Sequence, residues 1–189
     1  MEIILARHGK SSFDMRKQIS GSGLAAALDN YDAAGIDKHS HPPQALRSVI
    51  QSSTRIFTSD LPRSLESASR LHPEGDFLSL PLFREAPLPR NFPVPYRLSA
   101  TAWTVIARVC WFFGYAGDVE SYAQVRRRAD EAAQHLIQHA SDSGRVALIG
   151  HGLFNILIAK QLVRKGWSGP KKRSSHHWGW SIYRYISDL

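Results

Sequence analysis

Three short apolar runs, EIILA (residues 2–6), RIFTS (55–59) and RVALIG (145–150), are each followed by a turn and then by a longer stretch with helical spacing. Runs this short and this evenly apolar read as strands buried on both faces. The helical stretches are PPQALRSVIQ from Pro42, LPRSLESASRL from Leu61, VESYAQVRRRADEAAQHLIQHA from Val119 and LFNILIAKQLVRKG from Leu153. Strands that alternate with helices can pair in parallel only through crossovers. The pattern therefore predicts an α/β fold, a three-layer α/β/α sandwich around a mostly parallel sheet. A last run, HWGWSIYRYI from His177, alternates aromatic with small or polar residues and predicts one further strand.

The 189 residues, 43% hydrophobic and 21% charged, suffice for one globular domain over residues 1–189, and no repeat, linker or low-complexity tract divides them. Cys110 is the only cysteine, so neither a disulfide framework nor a cysteine zinc cluster braces the fold, a pattern suited to a reducing cytosol. The opening MEIILARHGK has no basic leader and no long apolar stretch, which predicts a cytoplasmic rather than an exported protein. Residues 99–117 come nearest to a membrane span, but Arg108 at their middle makes a buried amphipathic helix the better reading. The formal charge of +8 suits an anionic partner, either nucleic acid or a phosphorylated small molecule. The basic runs RRR (126–128) and KKR (171–173) are short and lack interleaved aromatics. Both read as solvated, and neither nucleic acid nor a membrane is expected as a partner.

Pro81, Pro87, Pro89, Pro93 and Pro95 crowd one stretch beyond what a regular element tolerates. With the aromatic residues that follow, residues 81–117 read as an insertion laid over the sheet, from which a loop could close a site. Trp103, Trp111, Phe112, Phe113 and Tyr115 read as core.

Ligands of open parallel sheets bind beyond the carboxyl ends of the strands. Here the first strand runs into Arg7-His8-Gly9, the second into SDLPRS with Arg63, and the third into GHGLFN with His151. These cationic groups would repel one another in a partly dehydrated crevice unless an anion joined them. A phosphoryl group meets that need. Guanidinium forks match its oxygens, and the helix from Leu61, with Ser59 or Asp60 as cap and Pro62 in its first turn, adds N–H groups at its positive end. The arginines should also keep His8 neutral at pH 7 and able to attack phosphorus. His39, His41, His176 and His177 lack metal-site spacing and read as loop histidines, so no metal or other cofactor is expected.

These motifs resemble those of the histidine phosphatase superfamily, which includes cofactor-dependent phosphoglycerate mutases and many small phosphatases, and the similarity spans nearly the whole chain. RHGK is similar to the Arg-His-Gly signature, which implies that His8 is phosphorylated and Arg7 binds phosphate. TSDLPRSLESA resembles the second motif, implying Arg63, four residues after Ser59, as a phosphate ligand. LFREAPLP resembles the segment carrying the acidic proton donor, implying Glu85, and LIGHGLFN resembles the last motif, implying His151. DMRKQISG resembles the stretch after the signature in the mutase-like branch and implies Gln18 and Ser20 as candidate substrate contacts. YDAAGID is similar to the turn into the first long helix, and GDVESYAQVRRRADEAAQHL to a segment bearing Glu120 and Ser121 before a long helix. Lys10, Asp14 and Gln18 depart from the pattern: they stand in place of an acid or amide, an asparagine near the phosphate and a substrate-binding arginine. No phosphate-binding role is carried over to Asp14.

The resemblance implies a phosphoglycerate mutase-like fold and a phosphomonoester hydrolase of the histidine acid phosphatase type. In that chemistry His8 attacks phosphorus, Arg7, Arg63 and His151 hold the oxygens, and Glu85 protonates the leaving alcohol; Asp14 and Glu120 are the alternative acids. A mutase-type phosphotransferase is one rival reading, disfavoured by Gln18 and by a chain short for that branch. The other is a non-catalytic phospho-ligand-binding module, disfavoured by the histidine pair and candidate acid. The identity of the small phosphorylated substrate and the oligomeric state are not legible in the sequence.

Overall fold

Ile3, Ile4 and Ala6 have no solvent contact and Leu5 almost none, so the first strand must be covered on both faces. The computed structural model describes residues 1–171 and 174–185. In chain order its elements are β1 (Glu2–Arg7), β2 (Gln18–Ser20), α1 (Leu24–Ala33), α2 (Gln44–Gln51), β3 (Arg55–Thr58), α3 (Pro62–Leu71) and β4 (Leu78–Ser79). There follow β5 (Arg97–Ser99), α4 (Ala100–Phe112), α5 (Tyr122–Ser143), β6 (Arg145–Gly150), α6 (Gly152–Arg164) and β7 (Trp180–Arg184). The main sheet runs β4-β3-β6-β1-β7. All neighbours are parallel except β7, which lies antiparallel on β1 at the edge.

Alternation along the strands sorts the core into two layers. Ile3, Leu5, Val146 and Leu148 pack with Ala129, Ala132 and Leu136 of α5 and Phe154 and Ile158 of α6. Ile4, Ala6, Ala147 and Ile149 point the other way, onto Leu46 and Ile50 of α2 and Ala68 and Leu71 of α3. The expected α/β/α sandwich is therefore present.

Of the proline-rich stretch and the aromatic residues after it, Phe83, Ala86 and Trp111 pack into the layer that covers the sheet, while other parts fold apart from it. β5 pairs with β2 in a separate antiparallel ribbon, and Trp103 and Ala107 of α4 pack on Leu24 and Leu28 of α1 in a third apolar cluster. α4 buries Trp103, Ala107 and Trp111, which share one helix face, so Phe112, Phe113 and Tyr115 fall outside that face and remain exposed rather than joining the core. Among the described residues no helix is long and apolar enough to cross a membrane.

Two expected helix starts shift for reasons of capping. α5 begins at Tyr122 because Ser121 caps it: its Oγ accepts the Gln124 amide at 3.3 Å while Gln124 Oε1 accepts the Ser121 N–H at 2.8 Å. α3 has Leu61, not Ser59 or Asp60, at its cap position, with Pro62 opening the first turn. Ser59 Oγ instead accepts the Leu61 amide at 3.3 Å, and Asp60 is drawn away by a two-pronged bond from Arg84 at 2.7 and 2.6 Å. In the basic runs, Arg128 is half-buried and fully bonded rather than solvated, and Lys172 and Arg173 lie outside the described residues.

Candidate active site

Because β3, β6 and β1 are consecutive in the sheet and parallel, the residues that follow them emerge side by side. His8 donates its amide to Gly150 O at 3.0 Å, and Ser59 donates to Ile149 O at 3.4 Å, so the three strand ends remain stitched together past the last ladder pair. The His8 and His151 rings meet edge to face, with centroids 5.1 Å apart. His8 and Arg63 are 1% exposed and His151 is 0% exposed.

Burial of this kind dictates the protonation of the histidines. His8 is held well below the ordinary imidazole range, first by desolvation and then by the charges of Arg63 and Arg7. Its Nδ1 lies 2.6 Å from its neighbour's carbonyl, Gly9 O, which can only accept, so the single ring proton sits on Nδ1 and the lone pair on Nε2. His151 is likewise held well below its usual range, by desolvation first and then by His8, Arg63 and Arg7. Its Nε2 lies 3.3 Å from the Ser64 hydroxyl, and its Nδ1 is a buried atom without a hydrogen-bond partner in the protein. Arg7 Nε and Arg63 Nε are in the same condition. Buried polar atoms are almost always satisfied in native proteins, and three exceptions in one cluster, two of them guanidinium donors, mark where an acceptor-bearing group fits.

The rest of each guanidinium is anchored. Arg63 lies 4.3 Å above the Tyr31 ring and donates to Tyr31 O at 3.0 Å and to Asp32 Oδ1 at 3.2 Å. Arg7 donates through Nη1 to Ser175 O. Gly9 has no room for a side chain, since a Cβ there would come within 2.4 Å of the Trp178 ring. Trp178 adopts φ +59°, the only positive φ among the described non-glycine residues, at a cost of about 1–2 kcal/mol.

Glu85 borders the same cavity as Arg63. Its Oε1 accepts from the Phe154 and Ala86 amides at 2.9 Å each, and Oε2 from the Leu153 amide at 3.3 Å, so the carboxylate sits on the first turn of α6, the helix that His151 caps. One lone pair of Oε2 is left for a proton. The cavity, of about 450 Å³, adjoins it and is lined by Arg63, Tyr31, Asp32, Leu88, Arg108 and Glu120 among others. The cavity wall at Glu85 is fixed by arginine. Arg108 donates to Ala86 O and Pro87 O at 2.8 and 3.0 Å, and Arg128 donates to Leu82 O, Arg84 O and Glu85 O at 3.0, 2.8 and 3.4 Å. Arg128 also grips Glu120, which is thereby bonded as a support.

The structure thus brings Arg7, His8, Arg63 and His151 together, with Glu85 docked beside them. Gln18 and Ser20 are elsewhere: both lie in β2 outside the cavity lining, and Ser20 Oγ caps a short turn by accepting the Gly23 amide at 3.2 Å. Asp14 turns outward to Arg16, whose amide and guanidinium hold its carboxyl below the usual range. Sequence reasoning missed Asp32, Ser64, Arg108, Arg128 and, above all, His177, whose ring centroid is 5.7 Å from that of His8. The adjoining Trp-Gly and the position just before the last strand were the available signals. Among the described residues no group of three or more His, Cys, Asp or Glu side chains is arranged to hold a metal ion.

The model of the histidine phosphatase superfamily (branch 1) matches residues 3–188. No curated protein gives a significant sequence match. Among solved structures, the product of a Mycobacterium tuberculosis open reading frame superposes with a TM-score of 0.66 at 16% identity, covering 100% of this chain and 93% of its own. A mutant phosphoserine phosphatase from Entamoeba histolytica, in complex with phosphoserine, gives 0.63 at 14% identity over 98% and 91% of the two chains. Mycobacterial glucosyl-3-phosphoglycerate phosphatase gives 0.63 at 16% identity over 96% and 90%. At such identities the likeness is one of fold.

Proposed function

This chain belongs to the histidine phosphatase superfamily, and on that footing we propose that it hydrolyses small phosphomonoesters through a phosphohistidine on His8. The observation that carries the reading is the set of buried polar nitrogens without partners, Arg7 Nε, Arg63 Nε and His151 Nδ1, clustered with an imidazole whose Nε2 keeps its lone pair. That lone pair forms the N–P bond as the ester P–O bond breaks, and the bonding electrons leave with the alkoxide oxygen. Arg7, Arg63 and His151 stabilise the equatorial oxygens as charge shifts onto them. Glu85, protonated on Oε2, gives its proton to the departing oxygen. The resulting carboxylate then takes a proton from water as that water attacks phosphorus and the N–P electrons return to Nε2. Inorganic phosphate leaves, and the side-chain cations supply the charge that a metal would otherwise provide.

The relatives named for phosphoserine and glucosyl-3-phosphoglycerate support a small phosphorylated metabolite as substrate. The depressed His8 supports the acid-phosphatase subtype, because the nucleophile remains unprotonated well below pH 6.5. A brief incubation with substrate, alkaline quench and peptide mass spectrometry should place phosphate on the peptide containing His8. Turnover in His8→Ala should fall by at least about 10,000-fold. Phosphate found on His151, or turnover surviving in His8→Ala, would overturn the reading, and activity lost to EDTA and restored by a divalent ion would overturn its metal-free form.

A further inference from the structure

We propose that His177 is a third histidine of the site, whose imidazolium donates an N–H to a non-bridging oxygen of the phosphoryl group that His8 receives; this rests on the phosphohistidine reading of His8. The geometry begins with the ring, which is half-buried and tilted 47° to His8 with centroids 5.7 Å apart. The segment that carries it is fixed rather than loosely draped. Arg7 donates its amide to Gly179 O at 2.9 Å and its guanidinium to Ser175 O, and the Trp178 amide reaches His8 O at 3.4 Å. Trp178 Nε1 donates to Ser40 Oγ at 2.9 Å, and the same oxygen accepts the Lys10 amide at 2.9 Å. The left-handed Trp178 and the bare face of Gly9 turn the chain so that the residue before the tryptophan meets the nucleophile.

Charge supplies the second argument. Among the described residues, the charged and titratable groups that face His177 are Arg7 and His8 from the end of β1, Lys10 from the loop after it and His176 from its own segment, with no carboxylate among them. Burial first, then Arg7, Lys10 and His176, push its pKa down to about 4. A bound phosphoryl dianion reverses that field. His177 then takes up a proton as the anion arrives, while His8, which must attack with its lone pair, stays neutral. The two adjacent histidines thereby divide the work, one as nucleophile and one as cationic ligand.

Sulfate tests this without titrating itself. Calorimetry of sulfate binding between pH 5.5 and 7.5, in buffers of different ionisation enthalpy, reads affinity and proton uptake together. The wild type should bind more tightly as pH falls, with net proton uptake. His177→Asn, which keeps a neutral donor, should lose most of that uptake and bind about 10-fold more weakly at pH 5.5 but nearly normally at pH 7.5. His177→Ala should be weaker at both. Unchanged uptake and affinity within twofold in both variants would overturn the role of His177, even with phosphohistidine detected on His8. A wild type that binds no sulfate and forms no phosphohistidine would overturn both readings, and one that forms the intermediate yet binds sulfate without proton uptake would overturn this one alone.

Discussion

At the proposed phosphate end of the site Arg7 and Arg63 each keep a buried Nε without a partner in the protein, whereas at the proposed leaving-group end Arg84, Arg108 and Arg128 spend their donors on Asp60, Glu120 and the carbonyls of residues 82–87. The residue type is the same and the physical state opposite. A guanidinium already saturated by carbonyls is a brace that ties loop backbone to helices α4 and α5. A buried guanidinium with an unmet donor retains binding capacity for an incoming acceptor. Arginine in a cavity wall therefore says little about anion binding until its hydrogen bonds have been counted.

The largest test of that division is Glu85→Gln, which removes a transferable proton from the braced end and leaves the phosphate end intact. Single-turnover phosphorylation by alkyl phosphates should fall about 100- to 10,000-fold, and that by p-nitrophenyl phosphate far less, because nitrophenolate leaves without a proton. Equal losses on both substrates would remove Glu85 as leaving-group acid and turn attention to Glu120. Next comes Arg63→Lys, which preserves charge but not the planar fork. Vanadate affinity should drop by about 10- to 100-fold, the worth of one or two charged hydrogen bonds; affinity equal to wild type would move Arg63 from the binding end to the braced end.

Arg128→Lys probes the brace itself, since an ammonium cannot reach three carbonyls and a carboxylate at once. Alkyl phosphates should turn over about 10-fold more slowly with little change for p-nitrophenyl phosphate, and unfolding free energy should fall by about 1–3 kcal/mol for the carbonyls left unmet. A stability loss with both substrates slowed alike would make Arg128 a general support with no bearing on Glu85. Acidification should distinguish the ends as well. His8 and His151 are held well below 6.5 in the folded protein, so as pH falls below about 6.5 the unfolded chain binds more protons. Stability then declines by up to about 1.4 kcal/mol per pH unit for each. Urea titrations at successive pH values should show that slope reduced by one group in His8→Gln. The smallest effect belongs to Arg126→Lys, on the exposed side of the same basic run, where vanadate affinity should stay within twofold.

The phosphate end was largely legible in the sequence because it is written into strand ends. A parallel sheet delivers the residue after each strand to one edge, so Arg7-His8, the SDLPRS turn and His151 needed only the strand assignment to be brought together. The braced end was not. Arg128 sits in a run whose first two members face solvent, and only the tertiary approach of residues 82–87 distinguishes the third. Asp32 lies within the YDAAGID stretch, but its pairing with Arg63 of α3 joins two helices far apart in the chain and only the tertiary fold reveals it. His177 escaped for a different reason: its position depends on a left-handed tryptophan, and the adjoining Trp-Gly and the approach of the last strand mark a turn there without announcing positive φ at the bulky residue. The exposed Phe112, Phe113 and Tyr115 show the same limit, since aromatic content alone does not fix which face of a helix end is covered.

The first turn of α6 acts as a ruler. His151 stands immediately before the helix and Glu85 is docked on its second and third amides, so the proposed phosphate ligand and the proposed leaving-group acid are both measured from one origin. Thermal displacement of the helix carries them together and leaves their separation unchanged. In the proposed chemistry a shared origin serves the one dimension that every phosphomonoester presents, the bond between phosphorus and its bridging oxygen, whatever alcohol lies beyond. Variation in the residues around the wide cavity can then retune which alcohol is accepted without recalibrating the distance over which the reaction takes place.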